Sequence, residues 1–106
     1  YPIVDIPMSD PIYHGMFDIA EVPQVPSIQH FRRVGGMTTS ERGSQSEDVH
    51  VRGIYDEGGR LMVLMTHNTD IADGWEREGE DYEFFYRFSV TSYAIGINFV
   101  LHAMTH

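Results

Sequence analysis

The sharpest pattern of hydrophobic and polar positions lies in the middle of the chain. Val49, Val51 and Ile54-Tyr55 form an apolar stretch, Asp56-Glu57-Gly58-Gly59 is turn chemistry, and Leu61 to Met65 is a continuous apolar run. This predicts a β-hairpin whose second strand is buried on both faces. The run ends abruptly in the polar residues Thr66-His67-Asn68-Thr69-Asp70, at the kind of strand end where α/β sheets gather ligand and catalytic groups. Further on, Asp81 is placed to cap a helix running through Phe88. A second helix, begun near Ser89 or Thr91, carries Tyr93, Ile97, Val100, Leu101 and Met104 at i, i+3/i+4 spacing on one face, where Gly96 would admit a close neighbour.

The first third reads differently. Pro2, Pro7, Pro11, Pro23 and Pro26 each fix φ and bias the preceding residue towards extended geometry, so no long helix is expected before residue 27. Ile3 to Ile6 reads as a short strand. Asp10-Pro11 reads as an N-cap followed by Pro at the first helical position, with about two turns through Phe17. Ala20 to Ile28 is then an extended connection, and the Gly-, Ser-, Thr- and acid-rich residues 35 to 48 form a long surface loop.

Composition narrows the function classes. The formal net charge is −9, from 16 acidic and 7 basic residues, and every basic residue is Arg. Such a surface repels phosphate backbones and anionic lipid, so neither nucleic acid nor a membrane surface is an expected partner. No apolar run approaches the roughly 20 residues of a spanning helix. Cysteine is absent, which removes disulfides, thiolate metal sites and a Cys nucleophile from these residues. The chain starts at Tyr1, without Met, directly in an extended apolar stretch, and reads as one partial domain over 1–106, cut from a larger one.

The segment GRLMVLMTHNTDIADGWEREGED (59 to 81), together with YAIGINFVLHAMTH (93 to 106), resembles the bacterial family designated domain of unknown function 4159. SDPIYHGMFDI (9 to 19) and QVPSI (24 to 28) fit the same pattern, so the resemblance spans nearly the whole chain. That family is similar to the class I glutamine amidotransferase-like superfamily. The resemblance implies an α/β fold: the C-terminal half of a flavodoxin-like three-layer domain, with a β-hairpin and C-terminal helices, whose N-terminal parallel strands lie outside this chain. It also implies a periplasmic or extracytoplasmic location. In true amidotransferases a His and a Glu two residues on complete a triad with a Cys on an earlier elbow. Here the acid of His67-Asn68-Thr69-Asp70 stands three residues from the His, and the Cys half lies elsewhere.

Each candidate constellation has a functional and a structural reading. His67 and Asp70 are a base with its orienter, or else His67, Asn68, Thr69 and Asp70 satisfy backbone groups at a strand-to-helix turn. His102 and His106 have metal-ligand spacing at i, i+4, but a helix C-terminus favours His without any ligand. The acids Asp70, Asp73 and Glu76 lack the alternation of a calcium loop and read as a solvated face. Arg42 and Arg52 are able to clamp a carboxylate, or simply pair with Glu41, Glu47 or Asp48. Trp75, Tyr82, Phe84, Phe85, Tyr86 and Phe88 cannot all face inward from one helix, so part of this aromatic set is expected to be a docking surface, with Trp75, Tyr82 and Phe85 as binding candidates.

The expectation is therefore a non-catalytic binding or accessory subunit, with protein partners in a larger assembly and no cofactor or metal. The alternative is a hydrolase or sugar-processing enzyme whose nucleophile lies outside this chain. A third reading is a carbohydrate-binding module built on Trp75 and Tyr82.

Overall fold

A computed structural model describes residues 1–106. Three strands form one antiparallel sheet in the order β1 (Val4–Asp5), β2 (His50–Tyr55), β3 (Leu61–His67). The predicted hairpin is β2–β3. Its turn closes because the Asp56 carboxylate accepts from the backbone N–H groups of Gly58 and Arg60, at 2.9 and 2.8 Å, and Gly59 takes a φ of +83° that a side chain would strain. The register runs from His50 opposite His67 to Ile54 opposite Val63, then slips at Tyr55, which faces Leu61.

The expectation that the second strand is buried on both faces is wrong. β3 is the sheet's edge, and Met62 and Val63 are 48% and 42% exposed. Alternation sends Val51, Gly53 and Leu64 towards the core, while Arg52, Ile54, Val63 and Met65 take the other face. Close packing on the inner face demands glycine at one point. A β-carbon on Gly53 would lie 2.6 Å from Leu61 Cδ1 and 3.0 Å from Ile6 Cδ1.

The predicted helix from Pro11 to Phe17 shortens to a 3-10 turn, Pro11–Tyr13. Asp10 does cap it, accepting from the Ile12 N–H at 2.9 Å. The chain then turns because His14 leaves helical geometry (φ −126°, ψ 35°) and bonds Asp18 and the Met8 carbonyl. Helix α1 (Ile28–Val34) follows the proline-rich stretch. Ser27 caps its start and Gly35, at φ +66°, ends it in the left-handed conformation.

Helix α2 (Ile71–Glu76) begins at the Asp70 N-cap. The two C-terminal helices expected from the sequence are one continuous rod. α3 (Tyr82–Phe84), capped by Asp81, passes through a π-helical stretch (Phe85–Ser89) into α4 (Val90–Thr105), with right-handed helical dihedrals at every junction. The widened turn lets the sequence neighbours Phe88 and Ser89 both face inward.

The core joins Ile6, Ile12, Tyr13, Val25, Ile28, Phe31, Val51, Ile71, Phe84, Phe88 and Ile95. At its centre Phe31 meets Phe84 and Phe88 edge-on, with centroids 5.4 and 6.0 Å apart. The Tyr13 hydroxyl donates to the Ile6 carbonyl at 3.0 Å, and burial above all, with Asp10 and Tyr55 nearby, pushes it up to about 12. This core is thin. Only 20 of 106 residues are buried, and the radius of gyration of 14.4 Å exceeds the roughly 13 Å of a spherical domain this size. Much apolar surface is left outside.

Candidate functional site

Two surfaces concentrate the residues singled out in the sequence. The first is a polar cleft of about 330 Å³ at the C-terminal end of β3, lined by Glu41, Arg42, Ser46, Thr66, Asn68, Thr69, Asp70, Ile71 and Ala72. It exists because three loops are stitched together there. The Thr69 hydroxyl donates to the Pro23 carbonyl and accepts from the Val25 N–H, both at 2.7 Å. Gln24 donates to the carbonyls of Ser46 and Asn68, at 2.7 and 3.0 Å, while its own carbonyl accepts from the Thr39 hydroxyl at 2.7 Å. Asn68 holds a φ of +63°, which its short polar side chain tolerates, and donates to the Asp48 carbonyl.

Asp70 and Arg42 thus share a cleft, but Asp70 already has a structural task. Its carboxylate accepts from the Asp73 N–H at 3.1 Å and starts α2, while the Asp73 carboxylate accepts from the Ile28 N–H at 2.9 Å and ties α2 to the start of α1. Burial raises the Asp70 pKa, and the nearby charges of Asp73, Glu41 and Glu76 add to the rise against the opposing Asp73 hydrogen bond. His67 is not in this network. It is exposed, faces the His50 ring across the sheet with centroids 6.1 Å apart, and makes no hydrogen bond to Asp70. Arg52 pairs with Asp5 at 2.9 Å, across the β1–β2 pairing, and not with an acid of the loop. His102 and His106 stack with centroids 4.1 Å apart, and burial chiefly, then His106, lowers the His102 pKa. Nowhere do three or more His, Asp or Glu side chains converge in a metal-holding cluster.

The second surface is apolar, and it comes from how α2 crosses α4. A β-carbon on Gly74 would lie 2.1 Å from Ser92 Oγ, and one on Gly96 would lie 2.4 Å from Trp75 Cζ2, so small residues on both helices set the approach. The Trp75 indole N–H donates to the Ser92 carbonyl at 2.7 Å, which lays the ring across Gly96. Between the helices runs an open groove of about 370 Å³ lined by Trp75, Tyr93, Gly96, Ile97, Val100 and Leu101. Gly96 admits a close neighbour as expected. The apolar stripe read from the sequence, however, is the outer face of α4: Ile97, Val100 and Met104 are 38%, 56% and 76% exposed. The inner face carries Ser89, Ser92, Ile95 and Asn98.

Asn98, which sequence reasoning did not single out as functional or structural, clamps the chain after the 3-10 turn. It accepts from the Phe17 N–H at 3.0 Å and donates to the Phe17 carbonyl at 2.7 Å. Its signal was a lone amide in the mostly apolar stretch Tyr93 to Leu101. Of the aromatic set, Phe84 and Phe88 enter the core, while Tyr82 and Tyr86 stack on each other in solvent and Phe85 is at the surface. Tyr82 lies outside the lining of the Trp75 groove.

The family model described as Domain of unknown function (DUF4159) matches residues 1–104. The chain belongs to that family. Neither a curated protein nor a solved structure matches it. No helix is long and apolar enough to cross a membrane.

Proposed function

We propose that this chain is a non-catalytic binding or accessory module which docks a helix of a protein partner in the groove between α2 and α4. The carrying observation is the outward apolar face of α4, which continues the groove from Tyr93 through Ile97 and Val100. A groove with the Trp75 ring of α2 on one side and the aliphatic face of α4 along the other suits the apolar stripe of a third helix. The polar cleft supports the same reading. Its Thr69 and Asp70, with Gln24 behind them, are engaged in holding the surrounding backbone together, and His67 stands apart from Asp70.

On this reading the chain is part of a flavodoxin-like, amidotransferase-like scaffold adapted to binding within a larger assembly on the extracytoplasmic side. The altered spacing of His67 and Asp70 favours binding over amidotransferase chemistry. The test is to purify the full-length protein from the cells that make it, in wild-type form and with Ile97→Gln and Val100→Gln together. Wild type should co-elute with a stoichiometric partner in size exclusion, and the double variant should elute alone. Identical elution of the two, or a wild type that is strictly monomeric without partners, overturns the reading.

A further inference from the structure

The six histidines divide by what their ring nitrogens already do. His14 bonds the Asp18 carboxylate and the Met8 carbonyl, and His30 lies between the Thr38 carbonyl and the Arg33 guanidinium, so both nitrogens of each are in use. His102 and His106 stack with their planes only 11° apart. Imidazole lone pairs lie in the plane of the ring, so those of a stacked pair run side by side and share no focus. His50 and His67 differ, since neither ring is tied to another group by a hydrogen bond or ion pair.

The two stand directly opposite in the β2–β3 register, on the sheet face that also carries Arg52 and Met65. Side chains paired in this way leave the backbone with β-carbons about 5 Å apart. The rings are 6.1 Å apart between centroids and tilted by 34°. A nitrogen about 2.1 Å from a divalent metal puts its ring centre roughly 3.2 Å from the ion, so two rings on one ion have centres about 5–6 Å apart. The observed spacing is close to that span. Both ligands come from strands paired within this chain, in a register fixed by Val51 opposite Thr66 and the pairs beyond, so the arrangement does not depend on what covers the edge of β3.

Chemistry selects the ion. Two imidazoles with no converging carboxylate suit zinc, copper or nickel and disfavour calcium and magnesium, which demand oxygen ligands. The net charge of −9 draws cations, and Arg52, two residues along the same face, is neutralised by Asp5 at 2.9 Å. Water completes the coordination shell, since no third His, Asp or Glu converges there.

We propose that His50 and His67 together bind a divalent late transition metal ion, of the zinc or copper class, on the outer face of the hairpin. The test uses the full-length protein, stripped of metal with a chelator and titrated with Zn²⁺ by calorimetry and by proton NMR of the histidine rings. The expected result is saturable binding that shifts the ring signals of His50 and His67. His50→Gln or His67→Gln should each weaken it about tenfold or more, because the second contact is no longer held at high effective concentration. His102→Gln with His106→Gln should leave it unchanged. Cu²⁺ in place of Zn²⁺ should give an electron paramagnetic resonance spectrum with two coupled nitrogens, which reads the site in the wild-type protein whether or not a variant folds. No saturable binding, zinc that leaves the His50 and His67 signals in place, or equal affinity in both single variants overturns the proposal.

Discussion

The two faces of α4 invert the usual arrangement. The face turned inward carries Ser89, Ser92 and Asn98 with Ile95, while the face turned to solvent carries Val90, Tyr93, Ile97, Val100 and Met104. The inner face is chosen by geometry as much as by apolarity. Asn98 fits there because Phe17 presents a donor and an acceptor to it, and Ser92 fits because its small side chain lets Gly74 come close and its carbonyl receives the Trp75 indole. What is left outside is a continuous apolar stripe with no partner within the chain. Scattered exposed aliphatics are ordinary on a protein surface, but a stripe joined to a groove is the signature of a contact surface.

Substitutions on the two faces separate these roles. The largest effect is expected at Ile95, which is fully buried: Ile95→Ala should lower unfolding stability by about 2–5 kcal/mol in urea titration. Asn98→Ala should cost about 2 kcal/mol, because it strips the Phe17 N–H and carbonyl of their partners in a region that water reaches in part. The same titration should show a much smaller change for Ile97→Gln with Val100→Gln, within about 0.5 kcal/mol for each, since both positions already face solvent. A large loss there would mean that the outer face holds the fold together.

The smallest effect concerns the histidines at either end of the inner contact. The hydrogen bonds that the protonated His14 ring donates to the Asp18 carboxylate and then to the Met8 carbonyl raise its pKa above the ordinary 6.5, while burial and His106 lower that of His102. Folded His14 therefore contributes stability that is present below 6.5 and lost as pH rises through its raised value. His102 contributes stability that is present above 6.5 and lost as pH falls through its lowered value. The two act in adjacent windows, His102 below 6.5 and His14 above it, so together they should give a shallow stability maximum between the two midpoints. Proton NMR titration should place the His14 midpoint above the His102 midpoint, and Asp18→Asn should bring His14 down without moving His102.

The hairpin was legible because its signals are local: the Asp56 turn and the apolar runs on either side lie within a few residues of one another. The existence of the last helix was legible for the same reason. Which side of it is buried was not, because that is decided by Phe17 and Trp75, which lie far away in sequence. The exposure of β3 escaped for a parallel reason, since an apolar run does not tell whether a neighbouring layer covers it. Helix α1 had caps that could be read, Ser27 and Gly35, but its seven residues carry little periodicity and one of its first N–H groups depends on Asp73. At the cleft, Arg42 and Asp70 were visible as chemistry. Thr69 was legible as a side chain that satisfies backbone groups at the turn, whereas Gln24 looked like an ordinary loop residue until its partners were brought together.

The most direct test of the outward face uses a photo-reactive phenylalanine analogue placed at Val100 in the full-length protein, with the same group at Met37 as a control. Met37 is 91% exposed on the long loop and belongs to neither surface. Illumination in the producing cells should give one defined adduct from Val100, abolished by Ile97→Gln, and none from Met37. No adduct from Val100, or the same adduct from both positions, would contradict the assignment of the α2–α4 groove as a docking site.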